Sequence, residues 1–279
     1  YLSAATLTDG DFVIAYSSSN LEERYRYAVR DGSTGNSFYG PIIVGAGTGI
    51  VQDAYLSVTQ LPDRGFAIAY RRDFGEAFPG YFAPYEDTGD GFQVRTDPIP
   101  FEDDPAHSIS ATTLSNGTIA IAYKRDLGPD GSSGNLVIYD DAGLDLGVAN
   151  PYVVAGPHTF AASDTDGEVG AISAAALEDG RVAVSYANIT DGTGQFVAYG
   201  SYGTFLSPPT VFEEDATPVV STTALAGGDF AVAYAEEEAS GDRGSFVVCG
   251  KHRLTLERAS NNEVRLWNHT NEELDLLLS

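Results

Sequence analysis

One 14-residue segment occurs five times in this chain, and it constrains the fold more than any other feature. Each copy begins with Ser, ends with Tyr and carries Leu at its fifth position; the leucines lie 54, 53, 63 and 48 residues apart. The copies are SAATLTDGDFVIAY (3–16), SVTQLPDRGFAIAY (57–70), SATTLSNGTIAIAY (110–123), SAAALEDGRVAVSY (173–186) and STTALAGGDFAVAY (221–234). A repeat of about 50 residues indicates an array of similar structural units.

Each copy predicts a β-hairpin. The turn is a pair such as Asn116-Gly117, in which Gly accepts the positive φ of a tight turn. The second strand alternates large and small apolar residues, with Phe12 and Ile14 on one side and Val13 and Ala15 on the other. Both faces must therefore be buried, as in a sheet packed between two neighbouring sheets.

A third strand follows each hairpin, as at 134–139, and a weaker fourth strand such as 41–44 precedes the next copy. Four strands per repeat is typical of a propeller blade. We therefore predict an all-β protein, a β-propeller of five four-stranded blades over residues 1–250. Residues 251–279 depart from the repeat and predict two or three further strands that close or extend the propeller. Repeats upstream of the first one would raise the number of blades above five.

The repeats resemble those of bacterial secreted β-propeller proteins. The resemblance rests on the core Leu-x-Asp-Gly-x-Phe-x-Val-x-Tyr and on the following Gly-x-Phe-Val-x-Tyr-Asp, and it covers residues 1–250. It implies the propeller fold and an extracellular or cell-surface location. It implies no specific enzyme family, because the shared residues are mainly packing residues.

Composition narrows the classes of partner. The formal net charge is −25, from 40 acidic and 15 basic residues, and such a field repels phosphate backbones. No run of 18 apolar residues occurs, so membrane insertion is not expected. Cys249 is the single cysteine, which leaves no partner for an internal disulfide and predicts a buried thiol at a core position.

Candidate ligand-binding residues follow the tyrosine of two repeats. In propellers, ligands usually bind on the face that carries the loops between second and third strands and the loops between blades. Two of these loops begin with two basic residues and an acid, which predicts binding of a polar ligand; they are Arg71, Arg72, Asp73, Lys124, Arg125 and Asp126.

A calcium site is the most specific hypothesis for the acidic loops. Asp164, Asp166 and Glu168 alternate around Gly167, and their carboxylates are the oxygen ligands that Ca²⁺ prefers. The spacing matches only part of a metal-binding loop, so an ordinary solvated turn is the alternative. No other cofactor is indicated.

The sequence favours a non-catalytic protein. The four histidines lack metal-ligand spacing, and neither a Gly-x-Ser-x-Gly elbow nor a phosphate-binding loop occurs. Three hypotheses follow: a structural or adhesive module of a surface or filament assembly, whose partners are protein subunits or cell-surface glycans; a carbohydrate-binding, lectin-like propeller; and a five-bladed glycoside hydrolase, which needs two positioned carboxylates. The repeated serines and tyrosines are expected to serve packing rather than ligand binding.

The calcium hypothesis predicts that the melting temperature rises when calcium is added and falls when a chelator is added, because an ion that binds the folded state stabilises it. Thermal unfolding with calcium, with chelator and with neither would measure this. An unchanged melting temperature under all three conditions would eliminate the metal proposal.

Overall fold

The structure is a computed structural model that describes eleven stretches of the chain: 2–17, 25–44, 55–72, 78–128, 131–140, 153–162, 168–215, 217–236, 243–250, 254–260 and 263–268. These stretches form five antiparallel sheets, one for each repeat. None of the helical turns in them is long and apolar enough to cross a membrane.

The first three sheets cover the first three repeats. Sheet 1 consists of β1 (Leu2–Thr6), β2 (Phe12–Ser17), β3 (Tyr25–Arg30) and β4 (Ser37–Ile43). Sheet 2 consists of β5 (Leu56–Gln60), β6 (Phe66–Arg71), β7 (Gly80–Asp87) and β8 (Phe92–Val94), with β9 (Ile99–Glu102) also paired to β7. Sheet 3 consists of β10 (Ala106–Thr113), β11 (Ile119–Asp126), β12 (Ser132–Tyr139) and β13 (Val153–Ala162).

The last two sheets follow the same order of strands. Sheet 4 consists of β14 (Val169–Ala176), β15 (Val182–Asn188), β16 (Thr193–Tyr199) and β17 (Phe205–Glu213). Sheet 5 consists of β18 (Val220–Ala224), β19 (Phe230–Glu236), β20 (Arg243–Cys249), β21 (Leu254–Ser260) and β22 (Glu263–Asn268). The C-terminal extension thus adds two strands to the edge of sheet 5, and its third candidate strand, 274–277, lies outside the described residues.

The hairpin turns of all five repeats share one closing hydrogen bond. The N–H of Leu114 donates to the carbonyl of Thr118 at 2.8 Å, and the leucines of the other four repeats make the equivalent bond. Gly117 has a φ of +88°, as the Asn-Gly pair predicts. In the second repeat Arg64 occupies this position with a φ of +70°, a conformation that is uncommon for a residue with a side chain.

The two faces of each second strand pack against different neighbours. Phe66, Ile68 and Tyr70 of β6 join the hydrophobic core that sheets 1 and 2 share. The intervening Ala67 and Ala69 join the core that sheets 2 and 3 share. The same division recurs between sheets 3 and 4 and between sheets 4 and 5. The alternation in the sequence therefore predicts correctly that each inner sheet is buried on both faces.

The first serine of a repeat joins one sheet to the next. Its hydroxyl accepts a hydrogen bond from the backbone N–H of the residue that follows the equivalent serine in the next repeat. The four bonds are Val58 N–H to Ser3 Oγ (3.0 Å), Ala111 N–H to Ser57 Oγ (2.9 Å), Ala174 N–H to Ser110 Oγ (2.9 Å) and Thr222 N–H to Ser173 Oγ (2.9 Å). The serines thus link the first strands of successive sheets around a central cavity of about 1010 Å³.

The repeated tyrosines are packing residues. Tyr70, Tyr123 and Tyr186 are at most 2% exposed. The hydroxyl of Tyr123 donates to Glu102 Oε2 at 3.0 Å, and that of Tyr186 donates to Gln195 Oε1 at 2.7 Å. Burial raises the pKa of Tyr70 to about 12 and also raises the pKa of Tyr123, because the phenolate would lose its hydration.

The serine link predicts different effects for two equivalent substitutions. Ser110→Ala leaves the N–H of Ala174 without its acceptor and should lower the free energy of unfolding by about 1 kcal/mol. Ser221→Ala should change it by less than about 0.5 kcal/mol, since Ser221 is exposed. Urea unfolding of both variants measures the difference, and equal effects would contradict a linking role.

The buried tyrosines predict loss of stability in alkali. Tyr70 and Tyr123 ionise at about pH 10 in the unfolded chain but only at higher pH when folded. Their contribution is therefore complete below about pH 10 and is lost as pH rises toward the folded pKa values. Urea midpoints from about pH 9 to 12 should fall, and phenolate absorbance should rise together with loss of circular dichroism. Ionisation of every tyrosine near pH 10 in a folded chain would contradict this.

Candidate functional site

The predicted ligand-binding residues lie at one end of the sheets, which we call the loop face. Second strands end there, and third strands and the first strands of each sheet begin there. Arg71 directly follows Tyr70 at the end of β6, and Lys124 directly follows Tyr123 in β11. The fold therefore brings the two predicted clusters to the same end of adjoining sheets. Asp73 lies outside the described residues.

Arg71 is the most buried of these cations, with only 4% of its surface exposed. Its guanidinium carbon lies 4.7 Å from the centre of the Phe78 ring and 5.5 Å from the centre of the Tyr55 ring. Both distances are within the range of cation–π attraction, which compensates part of the lost hydration. Nη1 lies 3.0 Å from Nδ1 of His107, whereas Nε has no hydrogen-bond partner among the described residues.

The hydrogen bond to Arg71 determines the tautomer of His107. A guanidinium can only donate, so Nδ1 must be the acceptor and the proton of the neutral ring resides on Nε2. Nε2 lies 3.7 Å from Oδ2 of Asp126, which is close but longer than a hydrogen bond. The ring of Tyr55 meets that of His107 edge to face at 5.2 Å. Arg71, His107 and Asp126 thus form a row across sheets 2 and 3.

A β-bulge turns the side chain of His107 toward Arg71 and Asp126. The pairing of β10 with β11 shifts register between His107 and Ser110, and Ser108 has a φ of +46°. Bulges of this kind turn a side chain out of the regular alternation. The first strand of sheet 4 has the same shift between Val169 and Ile172, where Gly170 takes the place of His107.

These groups line a cavity of about 240 Å³ on the loop face. Its walls are formed by Tyr55, His107, Ser108, Lys124, Asp126 and Gly170. Among sites for drug-sized ligands, which run from about 300 to 1,000 Å³, it would be small. It combines one aromatic ring with hydroxyl, imidazole, ammonium and carboxylate groups.

Lys124 connects the cavity to the predicted calcium ligands. Its Nζ lies 3.3 Å from Oε1 of Glu168, and the N–H of Glu168 donates to Oγ1 of Thr190 at 2.7 Å. Glu168 is thus placed beside a cation of the protein itself. Asp164 and Asp166 lie outside the described residues, and the described part of the chain contains no group of three potential metal ligands. The calcium site therefore remains a prediction.

The second basic residue of each cluster has a structural contact. Nε of Arg125 donates to Oδ2 of Asp104 at 2.8 Å, and this hydrogen bond raises the pKa of the guanidinium. Oε1 of Glu102 accepts hydrogen bonds from the N–H groups of Asp103 and Asp104. The Arg125–Asp104 pair and Glu102 thus hold the loop between sheets 2 and 3. The guanidinium of Arg72 lies 5.6 Å from the ring centre of Tyr81. Neither Arg125 nor Arg72 is among the residues that line the cavity.

A second cavity, of about 410 Å³, lies at the next junction, between sheets 4 and 5. It shares Gly170 with the first cavity, but its lining is more apolar and includes Ile189 and Pro218. Oγ1 of the buried Thr217 has no hydrogen-bond partner among the described residues. The cavities repeat in position but not in chemistry, because the loops differ where the strands agree.

The central cavity is lined by first strands and, at one end, by hairpin turns. The described residues that line it are small, apolar or uncharged polar ones, including Ala5, Thr59, Thr112 and Thr223. A glycoside hydrolase needs two carboxylates at its reacting centre, and the described lining contains none. The loop face is therefore the better candidate for a binding site.

Comparisons with known proteins identify the fold. The chain matches no protein-family model and no curated protein sequence. A protein of unknown function from Dyadobacter fermentans is 14% identical with a TM-score of 0.61, over 88% of this chain and 78% of that one. An ulvan lyase, a polysaccharide lyase, is 14% identical with a TM-score of 0.60, over 94% and 69% of the two chains.

The fucose-binding lectin of Aleuria aurantia, a six-bladed β-propeller, is 13% identical with a TM-score of 0.54, over 95% of this chain and 77% of the lectin. Identities this low show the fold alone. The predicted all-β architecture of antiparallel sheets is confirmed, and the structural neighbours are propellers. Three of the five described sheets have four strands, whereas sheets 2 and 5 have five. The fourth strand of sheet 5, β21, comes from the C-terminal extension and not from residues 1–250.

Proposed function

We propose that this protein binds glycans, and that one sugar unit occupies the cavity formed by Tyr55, His107, Ser108, Lys124, Asp126 and Gly170. The observation that carries the proposal is the arrangement of an aromatic ring beside fixed donors and acceptors on the loop face. Sugars present an apolar C–H face and a rim of hydroxyls, so they need both kinds of contact. The buried Arg71 holds His107 in one tautomer, with the proton of the neutral ring on Nε2.

The ligand is a neutral sugar rather than an anionic one. In the cavity the ammonium of Lys124 is matched by Glu168, and His107 lies beside Asp126, so the site carries no surplus of positive charge. A protein with a net charge of −25 also repels polyanions at a distance. Paired donors and acceptors of this kind suit adjacent hydroxyls, each of which both donates and accepts.

This proposal takes the lectin-like alternative over a purely structural module. Support comes from the neighbours, which include a fucose-specific lectin and an ulvan lyase. We further infer a non-catalytic, extracellular role in which cell-surface glycans are the partners, with adhesion as its consequence. Calcium in the loop of 164–168 is a separate proposal, and the cavity does not depend on it.

Glycan binding is tested on an immobilised panel that contains fucosylated, galactosylated and uronic-acid-containing glycans, followed by calorimetry with the best monosaccharide. Lys124→Ala should weaken binding about tenfold, since it removes a charged donor worth about 1.5 kcal/mol or more. Repeats four and five have Ala187 and Ala235 at this position, so the fold accepts the change. His107→Asn keeps an acceptor for Arg71 but removes the ring, and it should also weaken binding.

Ser115→Ala, in a turn at the opposite end of sheet 3, is the control and should bind like the parent. No binding to any glycan of the panel would reject the proposal. Binding that survives both Lys124→Ala and His107→Asn would place the site elsewhere, and a preference for uronic acids would contradict the neutral-sugar assignment.

A further inference from the structure

The small-residue face of the second strand is covered in four sheets and open in the fifth. At the thirteenth position of the repeat, Ala15, Ala69, Ala122 and Ser185 are at most 1% exposed. Ala233, at the same position in sheet 5, is exposed. Each of the four covered residues faces a following sheet, and nothing in the described residues covers sheet 5 in this way.

The large-residue face of the second strand is buried in sheets 2 to 5 and partly exposed in sheet 1. The tyrosines at the fourteenth position are at most 7% exposed in sheets 2 to 5, whereas Tyr16 of sheet 1 is only partly buried. Phe12 and Ile14 on the same strand are also partly exposed, although their equivalents in the other sheets are at most 4% exposed. This face packs against the preceding sheet elsewhere, so sheet 1 lacks a preceding neighbour among the described residues.

The hydrogen bonds that the serines make between successive sheets are also interrupted between sheets 5 and 1 in the described residues. Four serines accept a hydrogen bond from the next sheet, and the fifth, Ser221, is exposed. The equivalent donor in a closed ring would be the N–H of Ala4, which is exposed as well. Both ends nevertheless line one cavity, because Thr223 of sheet 5 and Ala5 of sheet 1 border the same central space.

The open face of sheet 5 is apolar across two strands. Ala231 pairs with Val248 and Ala233 pairs with Phe246, so these four side chains share the face. Phe246 is 38% exposed. In sheet 3 the equivalent pairs, Ala120 with Ile138 and Ala122 with Leu136, are fully buried against sheet 4. Burial of such a face normally stabilises a fold, because apolar surface is removed from water.

We propose that one further blade of the same repeat, carried on the same polypeptide, occupies the space between sheets 5 and 1. The interface repeated within the molecule defines its chemistry. It presents large residues to Ala231 and Ala233 and small residues to Phe12, and its serine hydroxyl accepts from the N–H of Ala4.

A single blade satisfies both open faces at once, whereas a second copy of the chain does not. If sheet 1 of one molecule covered sheet 5 of another, one face of each kind would stay open, and such heterologous contacts produce open-ended chains unless they close into a ring. A closed ring of two copies would have ten blades, more than the roughly four to eight that are typical of propellers. The ring that contains the additional blade has six blades, and the five sheets described above are five of them.

The experiment duplicates an inner blade within the full chain. A second copy of residues 106–168 is inserted after Glu168, and an independent variant duplicates 169–219. Ala233→Cys reports on the open face by the rate at which the introduced thiol is alkylated, since the native Cys249 is 2% exposed and should react slowly. In the five-repeat parent the introduced thiol should react fast. In the six-blade variants it should react about tenfold or more slowly, because opening of the interface must come first.

Ala122→Cys is the control, since Ala122 is buried in the parent and a thiol placed there should react slowly in all forms. The six-blade variants should also melt at a higher temperature than the parent. Equal labelling of the Ala233→Cys thiol in parent and six-blade variants would overturn the proposal, as would failure of both duplications to fold. Slow labelling in the monomeric parent would show that this chain covers its own face, and concentration-dependent protection would identify a second copy as the occupant; either result also overturns it.

Discussion

The alternation of large and small side chains along each second strand is the constraint on which the rest of the structure depends. Large residues such as Phe66 and Ile68 enter the space that Val13 and Ala15 leave on the preceding sheet. Sheets pack face to face at about 10 Å, so two large faces would not fit and two small faces would leave a cavity. Each sheet therefore depends on its neighbours, and no sheet buries its own faces alone.

The hairpins, turns and two-sided burial could be predicted from the sequence because they repeat five times in local patterns. The orientation of the His107 side chain could not be predicted, since it depends on a bulge with a positive φ at Ser108. Serine is not a residue type that indicates a positive φ. The burial of Arg71 could not be predicted from the sequence, because the aromatic rings that cover it come from separate segments of the chain. The contact between Lys124 and Glu168 could not be predicted either. It depends on how sheets 3 and 4 pack together, and the spacing of residues within one repeat gives no information about that packing.

The repeated pattern leaves the residues of the loop face more variable than those of the strands. The shared residue pattern ends with the tyrosine, and the next residue differs between the repeats: it is Ser17, Arg71, Lys124, Ala187 and Ala235 in the five repeats. Blades of one scaffold can therefore differ in function while they share a core. The cavity lies at the junction of sheets 2, 3 and 4, away from the open faces of sheets 1 and 5, so the proposed glycan site and the proposed additional blade depend on different residues.

The cations of the loop face act through position rather than through charge. Arg71, Arg72, Lys124 and Arg125 account for four of only 15 basic residues, yet each has a partner: aromatic rings and His107, Tyr81, Glu168, or Asp104. Glu168 and Asp104 cancel most of the field that Lys124 and Arg125 would exert at long range. The contacts of all four cations also fix the direction of their N–H groups, so that little side-chain entropy is lost on binding. The proposed glycan site would discriminate by the arrangement of hydroxyls around a sugar ring, at short range, which is compatible with a net charge of −25.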